Sequence, residues 1–173
     1  MVDVLARWNF LDAVTASNEI LPCCGSLKWA DAMATRRPLA DQADVLETSD
    51  EIWRSLTASD RQEAFRSHPR IGESANHEAR GQNAKAVAWS EQEQRNVSDA
   101  DASAKIALAG SNREYERRFN RIFIVCATDK SPADILAILN RRLNNDEATE
   151  LQETSEQQRQ ITHIRLRKWL QSQ

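Results

Sequence analysis

Three short stretches carry residue types that can move protons or bind a carboxylate. The first is Ser67-His68-Pro69-Arg70-Ile71-Gly72-Glu73. A residue before proline is pushed out of the α region, so His68 is expected just past a helix written by residues 60–66. Gly72 permits a tight turn directly afterwards. The imidazole is then presented from a fixed corner near the negative end of a helix, where its protonated form is favoured. That placement suits an acid or a base, and it equally suits an ordinary helix cap.

The second stretch is Trp89-Ser90-Glu91-Gln92-Glu93-Gln94. Ser90 followed by Glu93 has the spacing of a capping box, which would start a helix there. Structural and chemical roles are compatible, because the box would fix Glu93 in the first turn and leave backbone N–H groups as an anion site. The third is Arg165, which follows Ile161 at helical spacing and so shares its inward face. An inward guanidinium needs a partner. A structural carboxylate is one; a substrate carboxylate gripped bidentately is the other. Arg167 and Lys168 fall toward solvent.

Several chemistries are excluded. His77-Glu78 lacks the second histidine of a zincin, and neither a Gly-rich phosphate loop nor a nucleophile elbow is present. Cys23, Cys24 and Cys126 have no metal-ligand spacing, and the vicinal pair would close a strained ring. Reduced thiols in a cytoplasmic protein are the simpler reading. The N-terminal residues lack the apolar run of a signal peptide, and no segment approaches the roughly 18 apolar residues of a membrane span. A net charge of −3 over 173 residues favours neither nucleic acid nor membrane.

Four glycines and four prolines leave little turn chemistry for a β fold, and helix formers dominate. The expected class is all-α: one domain over residues 1–173, a bundle of about seven to nine helices. Val4, Leu5, Trp8 and Leu11 open a helical pattern that continues to Ile20 and stops at Pro22. Gly25 to Arg37 reads as a helix ended by Pro38, and Val45 to Leu56 as another that Ser49-Asp50 interrupts. Thr57 to Asp60 starts the helix that delivers His68. Between Glu73 and Trp89 periodicity is lost, so residues 74–89 read as a loop at the rim of a site. A helical region then opens at Ser90, breaks near Val97-Ser98 and ends about Asn120. The apolar run at residues 122–127 is too short to assign from pattern. Ser131-Pro132-Ala133-Asp134 is a strong helix start, and one long, mostly polar helix covers residues 146–170, anchored by Leu151, Ile161, Ile164 and Leu170.

In order along the chain, several motifs resemble those of the 2-oxo-4-hydroxy-4-carboxy-5-ureidoimidazoline (OHCU) decarboxylases. They are Cys23-Cys24-Gly25-Ser26 with Trp29, then His68-Pro69-Arg70-Ile71-Gly72, then Ser90-x-x-Glu93-Gln94. Tyr115-x-x-x-Phe119 with Phe123-Ile124-Val125-Cys126-Ala127, Arg142-Leu143-x-Asn145 and Ile164-Arg165-Leu166 complete the series. The resemblance covers nearly the whole chain. It implies an all-helical carboxy-lyase, without cofactor or metal, acting last in the conversion of urate to (S)-allantoin. Under it His68 and Glu93 are catalytic. Pro69, Ser90, Gln94, Arg165 and the run Phe123, Ile124, Val125, Cys126 and Ala127 bind the small ureidoimidazoline substrate, the run largely through its backbone. Members often form homodimers, although no interface is legible in one chain. Two departures stand out. Phe119-Asn120-Arg121 replaces the family's Phe-Gly-Phe, which Asn softens by tolerating a left-handed conformation. The stretch between His68 and Ser90 is also long.

A different class competes: a helical nucleic-acid-binding or protein-interaction module. Arg113, Arg117 and Arg121 form one basic stripe at helical spacing, which Arg118, Arg141 and Arg142 could enlarge. Glu114 and Glu116 interrupt it and the chain is acidic overall, so a solvated face or dimer surface is the alternative.

Overall fold

The computed structural model describes residues 3–72, 84–98 and 102–172, and among these it is helical with no strand. The helices are α1 (Val4–Asn9), α2 (Ala13–Cys24), α3 (Leu27–Thr35), α4 (Gln42–Ser55), α5 (Ala58–Arg66), α6 (Ala84–Glu93), the single turn α7 (Arg95–Ser98), α8 (Ala102–Phe119), α9 (Pro132–Arg142) and α10 (Glu147–Leu170). Their residues group into two compact units, one of residues 1–64 and 159–173, the other of residues 65–158.

The first unit packs α2 on α3 and α3 on α4 around Trp8, Ile20, Trp29, Met33 and Trp169, all essentially without exposure. Trp8 and Trp169 meet edge to face at 5.4 Å. The indole N–H groups of these three tryptophans have partners: Ala16 O for Trp8, Ser49 Oγ for Trp29 and Glu19 for Trp169. Three local expectations are corrected here. Pro22 does not stop α2, which runs on to Cys24 and ends at Gly25, φ +89°, whose N–H returns to Leu21 O. Proline deletes one N–H bond, to the carbonyl of Asn18, and that residue is exposed, so water can take the bond's place. Gly25 therefore caps α2, and α3 begins after Ser26, whose side chain caps Trp29 N. Ser49-Asp50 does not interrupt α4, because Ser49 is buried against Trp29 while Asp50 pairs with Arg159 and His163.

The second unit packs α8 on α9. Its core gathers Ile71, Val97, Leu108, Tyr115, Phe119, Phe123, Val125, Ala127, Ile135 and Leu139. The helix start expected at Ser131 is present, and Ser131 and Asp134 there form a capping box for α9. The principal correction lies in α6. It begins at Ala84, so residues 84–89 are helix rather than loop, while residues 73–83 lie outside the described residues. Ala84, Lys85, Ala86 and Ala88 are strong helix formers, and their propensity outweighed the start signal at Ser90.

Candidate active site

The histidine corner is built as its residue types require. Thr57 and Asp60 cap α5 reciprocally, Asp60 Oδ2 accepting from Thr57 N at 3.1 Å and Thr57 Oγ1 from Asp60 N at 3.2 Å. The helix ends at Arg66, and one further turn follows in which His68 N–H donates to Phe65 O. His68 is 8% exposed, and its Nε2 lies 2.7 Å from Oε1 of Gln158, which has no exposure. The next residues are fixed from other elements. Arg70 makes a forked pair with Glu116 of α8, Asn112 donates to Ile71 O, and Gly72 N–H donates to Gln94 Oε1 at 3.3 Å. Gly72 has φ +82°. A Cβ there would meet Val97 at 3.5 Å, an ordinary contact, so the backbone conformation and not lack of space calls for glycine.

Gln94 thus ties the end of α6 to the turn that follows His68. Ser90 is buried at 3% exposure, and its carbonyl accepts Gln94 N–H at 3.0 Å. The capping box expected from Ser90 and Glu93 does not form: Ser90 lies inside α6, and Glu93 is that helix's last residue, half-buried. The anion site expected at a helix start there is withdrawn with it, since those backbone donors are engaged within the helix.

The apolar run lies outside helix and strand and is deeply buried, with Phe123, Ile124, Val125, Cys126 and Ala127 each 2–7% exposed. Buried backbone groups without a strand partner need other partners. Side chains supply three of them. Arg142 NH1 donates to Ile124 O at 2.7 Å, Cys126 N–H donates to Gln157 Oε1 at 2.9 Å, and Lys130 Nζ donates to Cys126 O at 2.8 Å. Arg142 is fully buried against Glu150, whose carboxylate also accepts a short hydrogen bond from Tyr115 OH. Burial, followed by that bond to Glu150, pushes the Tyr115 hydroxyl up to about 12.

The second unit therefore brings His68, Pro69, Ser90, Glu93, Gln94 and residues 123–127 into one fold. Arg165 belongs to the first unit. It is 1% exposed, and its guanidinium donates to Pro22 O at 3.3 Å, so the inward orientation inferred from Ile161 holds. Burial pushes the neighbouring Cys24 thiol up to about 12, against smaller opposing effects of Ser26, Thr162 and the Arg165 charge. Among the described residues no group of three or more His, Cys, Asp and Glu side chains could hold a metal ion.

Sequence reasoning passed over Gln157 and Gln158 and the Tyr115–Arg142–Glu150 network. A signal was present. Glu150, Thr154, Gln158, Thr162 and Arg165 recur at helical spacing, and all are 3% exposed or less. A polar stripe on a buried face must find its partners inside the protein, which singles out this face of α10. Burial removes only part of the arginine stripe. Arg121 is 8% exposed and paired with Glu147, and Arg142 is sequestered against Glu150, whereas Arg113, Arg117 and Arg118 are exposed.

Comparison with known proteins gives a consistent result. A family model described as OHCU decarboxylase matches residues 9–167. Over 148 residues the chain is 34% identical to the uric acid degradation bifunctional protein TTL of Arabidopsis thaliana, covering 84% of this chain and 44% of that one. The chain thus spans less than half of that relative's length. It is 28% identical over 165 residues to the 2-oxo-4-hydroxy-4-carboxy-5-ureidoimidazoline decarboxylase of Amia calva, covering 95% and 90% of the two chains. A crystal structure of OHCU decarboxylase in the presence of (S)-allantoin superposes with a TM-score of 0.76 at 29% identity, covering 90% of this chain and 99% of that one. A crystal structure of (S)-allantoin synthase, at 12% identity and a TM-score of 0.70, shares the fold over 95% of this chain and 53% of its own.

Proposed function

Because the chain belongs to the OHCU decarboxylase family, we propose that it converts 2-oxo-4-hydroxy-4-carboxy-5-ureidoimidazoline to (S)-allantoin and carbon dioxide, the last step of urate degradation. It is a carboxy-lyase. The observation that carries this reading is the family match over residues 9–167, which takes in every residue given a role below.

The substrate has a hydroxyl and a carboxylate on one ring carbon, beside a C=N bond. When the C–C bond to the carboxylate breaks, its electron pair moves into the ring toward the imine nitrogen, which takes up a proton. The electron sink is part of the substrate, so no cofactor is needed to supply one. His68 withdraws the hydroxyl proton as that carbon becomes a carbonyl. Glu93 returns a proton to the adjacent carbon from one face, which sets the product's hand. Arg165 orients the carboxylate. Pro69, Ser90, Gln94 and the backbone of residues 123–127 hold the ureido and ring amides. Acid–base help of this kind contributes about 10²–10⁴-fold.

We read the working protein as cytoplasmic and, on the family resemblance, homodimeric, with no part for nucleic acid. Among the described residues no helix is long and apolar enough to cross a membrane. Mass in solution tests the dimer.

The functional test generates the unstable substrate in situ from urate with urate oxidase and hydroxyisourate hydrolase, and follows circular dichroism as this protein is added. Rapid appearance of a single allantoin enantiomer is expected; slow racemic decay in the presence of folded protein overturns the reading. His68→Asn, which keeps polarity but cannot titrate, is expected to abolish the acceleration. Glu93→Gln is expected to form allantoin with lost stereochemical purity, and unchanged rate and purity would remove Glu93 from the chemistry.

A further inference from the structure

Two consecutive residues of α10 reach two different parts of the second unit. Gln157 Oε1 accepts the N–H of Cys126 at 2.9 Å, and Gln158 Oε1 lies 2.7 Å from Nε2 of His68. Consecutive Cα atoms are about 3.8 Å apart. One peptide unit of a helix therefore links the His68 ring to the backbone of the buried apolar segment. Neither end of the second contact is open to bulk water, since Gln158 has no exposure and His68 is 8% exposed. A carbonyl oxygen only accepts, so the ring nitrogen against it carries the proton. A neutral imidazole has one N–H and one lone pair, which places the lone pair on Nδ1.

We propose that Gln158 is the positioning residue for His68: its carboxamide oxygen holds the Nε2 proton, fixes the ring's tautomer and plane, and makes Nδ1 the atom that receives the substrate hydroxyl proton. The assignment rests on the reading of His68 as the base. In the step, which follows loss of carbon dioxide, the Nδ1–H bond forms as the O–H bond breaks, and the O–H electron pair becomes the second bond of the new carbonyl. The ring C=C pair left by decarboxylation takes the proton delivered to the adjacent carbon, and the imidazole becomes imidazolium. The Nε2–H···O bond to Gln158 then becomes charge-assisted and strengthens as the reaction proceeds. An interaction stronger in the transition state than in the ground state accelerates the chemical step. An uncharged acceptor does this without the permanent attraction by which a carboxylate would hold the resting ring protonated.

The experiment compares the full-length wild-type protein with Gln158→Leu, Gln158→Glu and His68→Asn. It measures kcat, KM, the pH profile of kcat and the imidazole ¹⁵N spectrum of each. Gln158→Leu is expected to lower kcat by about 10²-fold with KM changed less than about two-fold, the split expected when an interaction acts on the chemical step. Gln158→Glu keeps an acceptor of the same length. It is expected to retain most of kcat at high pH and to move the acidic limb of the profile upward. The wild-type spectrum is expected to show neutral His68 protonated at Nε2. Equal losses in both Gln158 variants with an unmoved limb, or a wild-type ring protonated at Nδ1, overturn the proposal, and the spectrum decides even if Gln158→Leu does not fold. A fully active His68→Asn overturns the base assignment itself. An inactive His68→Asn beside a fully active Gln158→Leu overturns only the role of Gln158.

Discussion

Arg142 and Glu150 face each other with both side chains fully buried, the guanidinium reaching one carboxylate oxygen through Nε at 2.9 Å and NH2 at 2.5 Å. Asn145 takes the other carboxylate oxygen at 2.8 Å, and Tyr115 and Thr154 add to the first. Two ions leave water here, and the cluster satisfies them with several charge-assisted bonds at once.

Removing one member of that pair strands the other. Arg142→Met is expected to destabilise the fold by about 3–5 kcal/mol, read from urea unfolding. The adjacent Arg141 is a built-in control. It pairs with Glu153, but its side chain is 58% exposed, so Arg141→Met is expected to cost less than about 1 kcal/mol. Similar losses at the two positions would contradict the role given to burial.

Stability is expected to fall on the alkaline side. A thiol ordinarily releases its proton near 9.0 and a tyrosine near 10.0, whereas folded Cys24 and Tyr115 keep theirs to about 12. Above pH 9 the unfolded chain therefore binds fewer protons than the folded one, and the unfolding free energy decreases as pH rises. Cys24→Ala, measured by urea unfolding between pH 7 and 11, is expected to flatten the part of this decline that begins near pH 9. An unaltered slope would exclude Cys24 as its source.

Asn120 has φ +49° and is exposed. Asn120→Gly is expected to leave stability within about 0.5 kcal/mol, and Asn120→Ala to cost about 1 kcal/mol, because a Cβ without a local polar group is penalised in the left-handed region. Thermal melts of the two variants check this ordering.

Much of this was legible in the residues because the signals were local. Thr57 with Asp60 and Ser131 with Asp134 cap helices as their spacing demands, and Pro69 puts His68 beyond α5. Asn120 takes the left-handed turn that its type allows. Ser90 with Glu93 misled for a reason of competition: a capping box and a helix interior share the same letters, and the alanines upstream decided between them. Gln157, Gln158 and Glu150 were harder to see. A polar helix ordinarily faces water, and only the surrounding tertiary packing shows that this face of α10 is buried.

The adjacency of Gln157 and Gln158 has a consequence for how this chain can change its length. Each residue advances a helix by about 100°. One residue inserted between Glu150 and Gln157 would swing both glutamines away from His68 and Cys126 together, and would do so without altering a single site side chain. Substitutions along α10 can be graded in their effect. Insertions and deletions between Glu150 and Gln157 act on both contacts at once.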